Sequence, residues 1–267
     1  MVDALFVPAD GGLFHPTELA RGPWSELALH GGPVAALLAR VAEAAGVAAS
    51  SSVQMQPVRL TVELLRPIPL APMSATAAAV RTGRKVQWVE AECTTADGTP
   101  LARARMVRIR SDKVDVTMDH QPTAARPDPP AAGHSPTASL ATSDYPAFHS
   151  EGVEHRFVAG RFDVVGPATD WIRLRVPVVP GEEPSPLQRV AAAADFGNGV
   201  AAPARFEELR FINADLSIHL HRLPVGEWVC LDSVMWLSDR GVAQAESELH
   251  DEQGRIGRSL QSLLLER

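Results

Sequence analysis

The chain has 267 residues, 45% of them hydrophobic and 21% charged, with a formal net charge of −7, which is enough for one large or two small globular units. The acidic balance argues against the basic face of a nucleic-acid binder, and no uninterrupted apolar run reaches the roughly 18 residues of a membrane span. Two cysteines, Cys93 and Cys230, are too few for a disulfide framework or a zinc cluster and read as buried structural thiols. The opening MVDALFVPADGG has neither the basic nor the apolar region of a secretion signal, so a cytoplasmic protein is expected.

A short strand or two opens the chain. GGPVAALLARVAEAA, from Gly31, then places Val34, Leu37, Leu38 and Val41 at three- and four-residue steps, the period of an amphipathic helix. Pro33 falls in its first turn, where a missing N–H costs nothing. VRLTVELL alternates, setting Val58, Leu60, Val62 and Leu64 on one face of a strand. GRKVQWVEAECTTADGTPLARARMVRIR reads as a hairpin turning at Ala96-Asp97-Gly98. Residues 112–150, which contain QPTAARPDPPAAGHSP, are rich in Pro, Ala and Ser without a hydrophobic period, and predict an extended linker. The pattern then repeats. SPLQRVAAAADF, from Ser185, predicts a second helix with Pro186 in its first turn and a break at Gly197-Asn198-Gly199, and GVAQAESELHDEQGRIGRSLQSLLLE predicts a second hairpin.

The halves are in register. LTVELLRPIPL begins at Leu60 and LSIHLHRLPVG at Leu216, 156 residues on. The same ungapped offset pairs Arg66 with Arg222, Val86 with Val242, Glu90 with Glu246, Glu92 with Glu248 and Gly98 with Gly254. A register constant over about fifty residues indicates an internal duplication. The expected division is an N-terminal unit over 1–111, a linker over 112–150 and a C-terminal unit over 151–267. The expected fold class is α+β, with two helices, each wrapped by a long antiparallel sheet, and the two sheets able to pair into one.

HGGPVAALLARV at the first helix, AAADFGNG at the second and EWVCLDSVMWLSDRGVAQAESELHDEQGRIGRSLQSLLLER at the C-terminus together resemble the double-hotdog acyl-CoA thioesterases of the type II family and their thioesterase-like relatives. The resemblance covers almost all of the chain outside the linker. It implies a double hotdog fold, hydrolysis of acyl-CoA or another acyl thioester to a free acid in fatty acid metabolism, no cofactor or metal, and a homo-oligomer. The family's site uses an aspartate on the second hotdog helix, a glutamine on the last strand and a threonine on the strand between. The aspartate falls on Asp195 and the glutamine on Gln261. The threonine falls on or beside Trp236, which can donate through its indole nitrogen but cannot accept as a hydroxyl does; Ser233 or Ser238 could stand in. That departure keeps a non-catalytic acyl-binding protein as the alternative. A hydratase would want a histidine shortly after Asp195, where Val200 stands.

The chemistry of these residues fits the resemblance. Asp195 can serve as general base toward water, and an acid at a helix C-terminus is disfavoured as a plain cap. The carboxamide of Gln261 can hold the same water, donating and accepting at once, although a strand glutamine is also often merely solvated. Gly31 and Gly32 can admit a ligand close to the backbone, where the first N–H groups of the helix could polarise a carbonyl. His30 stands beside them. A plain helical turn with a surface histidine is an equal alternative. His219 and His221 share a strand face but lack an apparent third metal ligand. Arg103, Arg105, Arg108 and Arg110 could meet phosphates or simply line a solvated strand. The five tryptophans read as core or interface residues. The sequence has neither a Gly-rich nucleotide loop nor a Gly-x-Ser-x-Gly elbow.

Overall fold

The alternating segments become the strands at the centre of the molecule. In a computed structural model that describes residues 3–49, 53–115, 125–136, 145–206 and 208–267, strand β3 (Met55–Leu64) runs antiparallel to β10 (Asp215–Leu220). Leu60 faces Ile218 and Val62 faces Leu216, all four buried, each worth about 1.5–3 kcal/mol of hydrophobic stabilisation. Between them Thr61 pairs with Ser217. These two residues are themselves one repeat apart, so the local two-fold axis of the duplication passes through this pair.

The remaining described strands extend outward from it. They are β1 (Phe6–Ala9), β2 (Leu13–Pro16), β4 (Met73–Thr82), β5 (Val86–Thr95) and β6 (Pro100–Arg110) on one side. On the other are β7 (Val153–Ala159), β8 (Ala168–Leu174), β9 (Arg210–Asn213), β11 (Val229–Leu237), β12 (Val242–Asp251) and β13 (Gly254–Glu266). Together they form one antiparallel sheet in the order β1-β2-β4-β5-β6-β3-β10-β13-β12-β11-β8-β7, with β9 paired to the far end of β13. The order of one half is the mirror of the other, the signature of the duplication.

The ungapped register needs one adjustment. Val89 faces Met106 in the first hairpin and Ala245 faces Gln261 in the second. Val89 and Ala245 keep the repeat offset, whereas Met106 and Gln261 are one residue closer, because the second hairpin turns more tightly between Asp251 and Gly254. Gly98, in the first turn, and Gly254 both have positive φ, where glycine is the unstrained choice.

Helix α1 (Gly31–Ala49) lies in the concave face of the first half, with Val34, Leu37 and Leu38 fully buried. Its length and composition would suffice to cross a membrane, but its apolar residues are spent on β4, β5, β6 and the second helix. Helix α2 (Pro186–Ala194) starts at Ser185, whose Oγ accepts from the Gln188 N–H at 3.1 Å. Ala191, Ala192, Ala193 and Ala194 are all buried, small enough for α1 and α2 to pack closely. The expected break at Gly197-Asn198-Gly199 is instead a further helical turn, α3 (Gly197–Val200), with Asp195 at the joint.

Parts of 112–150 fall outside the described residues; the rest is not a bare linker. Pro130 is buried, the Asp128 carbonyl accepts from the Trp171 indole at 2.7 Å, and Phe148 is fully buried in the common core. Cys93 and Cys230 are buried free thiols. Burial pushes the Cys93 thiol up to about 12 and raises Cys230 as well, which leaves both protonated and inert.

Candidate active site

Asp195 caps α2 and is 4% exposed. Its carboxylate would be disfavoured by the dipole of α2 alone, but the fold lays it against the N-terminus of α1, where a negative charge is stabilised. A Cβ on Gly31 would lie 2.7 Å from Asp195 Oδ2, and one on Gly32 would lie 2.6 Å from the Ala192 carbonyl oxygen. Only glycines allow this approach of α1 to α2.

Three side chains from three elements hold the carboxylate. The His30 ring, just before α1, places Nδ1 2.8 Å from Oδ2. Asn213, on β9, donates through Nδ2 to Oδ1 at 2.7 Å. Gln261, on β13, donates through Nε2 to the Asp195 carbonyl at 3.1 Å and to Oδ1 at 3.4 Å, while its Oε1 accepts from the Asn198 N–H at 3.0 Å. His30 Nδ1 also stands 3.1 Å from the Gly32 N–H, and it cannot donate to the acid and accept from the amide at once. The shorter contact is taken as the hydrogen bond, with the Nδ1–H of His30 donating to the Asp195 carboxylate. Among the described residues the N–H of Gly31 has no acceptor.

Aromatic rings back the cluster. His30 lies 4.6 Å from Phe196 and 5.2 Å from Phe148, centroid to centroid. His149 is also buried, and its Nδ1 has no hydrogen-bond partner among the described residues. Burial, reinforced by the nearby His30 and His155, pushes its pKa down to about 3, so it is neutral. Asp195, Asn213, His30 and Gly31 open together into an apolar cavity of 280 Å³ lined by residues of both halves. A larger concavity of 880 Å³ lies on the outer face of the first half. There Arg103 pairs with Glu92 and Arg105 with Glu90, and it does not include Asp195.

Five of the six residues singled out from the sequence thus come together: Asp195, Gln261, His30, Gly31 and Gly32. Trp236 does not. Strand parity turns Ser233 and Met235 inward and Trp236 outward, where it is 62% exposed and reaches Glu246 Oε1 at 3.4 Å. Ser233 is buried but bonds Ser247 at 2.7 Å, and Ser238 serves its own turn. The third side chain on Asp195 beside His30 and Gln261 is Asn213, which sequence reading passed over. Its signal is faint, a polar residue two positions after Phe211 in a short segment, RFIN. Of the arginine run, Arg103 and Arg105 form ion pairs on the outer face, Arg110 pairs with Asp112, and Arg108 turns inward to Gln87 at 2.7 Å.

A single sheet curved around two helices, built from a repeated unit, with its polar cluster at their meeting point, defines a double hotdog protein of the thioesterase type. The model for the acyl-CoA thioesterase N-terminal domain matches residues 20–109 and that for the C-terminal domain matches residues 120–265; the chain belongs to this family. It is similar in structure to a candidate thioesterase from Novosphingobium aromaticivorans, with TM-score 0.73, 23% identity and coverage of 98% of this chain and 99% of that one. A hot dog protein of Alicyclobacillus acidocaldarius gives 0.72 at 18% identity, covering 99% and 97%. The acyl-CoA thioesterase II TesB2 of Mycobacterium marinum gives 0.63 at 16% identity, covering 98% and 94%. These likenesses establish the fold. No curated protein matches the chain.

Proposed function

We propose that the protein hydrolyses an acyl thioester, with acyl-CoA as the substrate class, and that Asp195 is the general base. The observation that carries this is a carboxylate 4% exposed, fixed by side chains from three elements at the wall of an apolar cavity between the halves. Asp195 takes a proton as the water oxygen bonds to the thioester carbon. The Gly31 N–H, at the positive end of α1, is the donor for the developing oxyanion. Collapse of the tetrahedral intermediate breaks the C–S bond, and the proton on Asp195 passes to the leaving thiolate. Asn213 keeps its own oxygen free to accept from the water. Gln261, bonded at both ends, is a positioning residue for Asp195 and the turn after it. We further propose that the chain divides functionally at 1–111, 112–150 and 151–267, the first unit supplying Gly31 and His30 and the last supplying the base.

Release of free thiol from acyl-CoA by the wild type and by Asp195→Asn tests the proposal. A loss of about a hundredfold or more in kcat is expected for a general base. Undiminished turnover in the variant would overturn the assignment. Acyl-CoA binding without any turnover would favour the acyl-binding alternative. The His30–Asp195 contact favours a second reading, in which the pair moves protons on the acyl chain as in a hydratase. Consumption of an enoyl thioester without thiol release would sustain that reading against hydrolysis.

A further inference from the structure

The cavity beside Asp195 holds an unusual share of the chain's rings. The sequence has five Trp, one Tyr and eight Phe, and four of these fourteen, Trp24, Phe196, Phe206 and Phe211, line this one space. Three of them form a mutual cluster. Trp24 lies 5.2 Å from Phe206 and 5.5 Å from Phe211, the latter edge-on at 87°, and Phe206 lies 4.9 Å from Phe211. The cluster runs from the core, where Phe211 is 1% exposed, to the surface, where Trp24 is 42% exposed.

Its distance from the chemistry is short. Phe211 and Asn213 are two residues apart on the same face of β9, about 7 Å along a strand, and Asn213 bonds Asp195 directly. The cavity, at 280 Å³, is just below the roughly 300–1,000 Å³ of sites for drug-sized ligands. A long fatty acyl chain needs more volume than this; a single ring or a short chain does not. Rings set edge-on and tilted around the space also favour a further ring, because aromatic pairs prefer edge-to-face and offset contacts.

We propose that the acyl group is compact and aromatic, an aroyl or arylacetyl thioester, and that Trp24, Phe206 and Phe211 are its specificity-determining residues. This rests on the hydrolytic reading of the same site. The test compares kcat/KM for phenylacetyl-CoA, hexanoyl-CoA and palmitoyl-CoA in the wild type and in Phe206→Leu. Phenylacetyl-CoA is expected to exceed palmitoyl-CoA by about tenfold or more, and Phe206→Leu to lower the phenylacetyl value by up to about tenfold, the worth of one aromatic contact, and by more than it lowers the hexanoyl value. A preference for palmitoyl-CoA or hexanoyl-CoA would overturn the inference and leave hydrolysis standing. If no thioester is hydrolysed, the hydrolytic reading fails by itself and the pocket is read by tryptophan fluorescence on titration with phenylacetate and palmitate. Phenylacetate binding that Phe206→Leu weakens, with Trp24 kept as the reporter, would sustain the aromatic pocket; tighter palmitate binding, or no phenylacetate binding, would overturn it.

Discussion

Asn213 and Trp236 show how far single side chains can be read. Both lie on strands, and on a strand the face is set by parity. Ile212 is 43% exposed while Phe211 is buried, which turns Asn213 inward to the carboxylate; on β11 the same alternation turns Trp236 out. Asp195 was legible because an acid at the end of an alanine-rich helix is out of place. Gln261 was legible only through the family resemblance. Asn213 was not, because a four-residue strand is too short for its period to be recognised. The resulting expectation is specific. Asn213→Ala removes a hydrogen bond to a charged group, worth about 1.5–3 kcal/mol, and should lower kcat by about tenfold to a hundredfold, whereas Trp236→Phe should leave kcat unchanged in the same thiol-release assay. Equal losses in both variants would contradict the geometry.

At the scale of elements, the two helices were legible from periodicity and from proline in the first turn, and the strands from alternation. The packed part of 125–136 and the turn at Phe148 were not, because irregular backbone buries residues without any period. The interface between α1 and α2 carries a further consequence. Glu43 on α1 accepts from Ser185 Oγ at 2.6 Å and from Gln188 Nε2 at 3.2 Å. Burial raises its pKa, and these hydrogen bonds and the charge of Arg108 oppose the rise without cancelling it. A carboxyl whose folded pKa is raised stabilises the fold fully below its unfolded value and loses that contribution as pH rises through the folded value. Ionised Glu43 therefore weakens this interface at neutral pH. Glu43→Gln should raise Tm at neutral pH, and the advantage should fade as pH drops to about 4, the unperturbed glutamate range. Thermal melts across pH check this; a wild type more stable than the variant at neutral pH would refute it.

At the scale of the molecule, the duplication was legible as a constant offset, and the continuous sheet follows from pairing two like edges at Thr61 and Ser217. The one-residue slip in the second hairpin was not legible, because Gly98 and Gly254 align whether or not the turn between the strands is shortened. That slip identifies Met106 as the counterpart of Gln261. The first half thus lacks a counterpart of the carboxamide that bonds Asp195 in the second, although the architecture is doubled. Each half still contributes. The first brings the N-terminus of α1, His30 and part of the cavity wall; the second brings Asp195 with Asn213 and Gln261. A single turnover in water labelled with heavy oxygen, with enzyme in excess over acyl-CoA, tests whether Asp195 activates water. Direct attack by water predicts the label in the free acid and none in the Asp195 side chain. Label in the Asp195 carboxylate would mean that the acid had attacked the thioester itself, and would contradict its role as base.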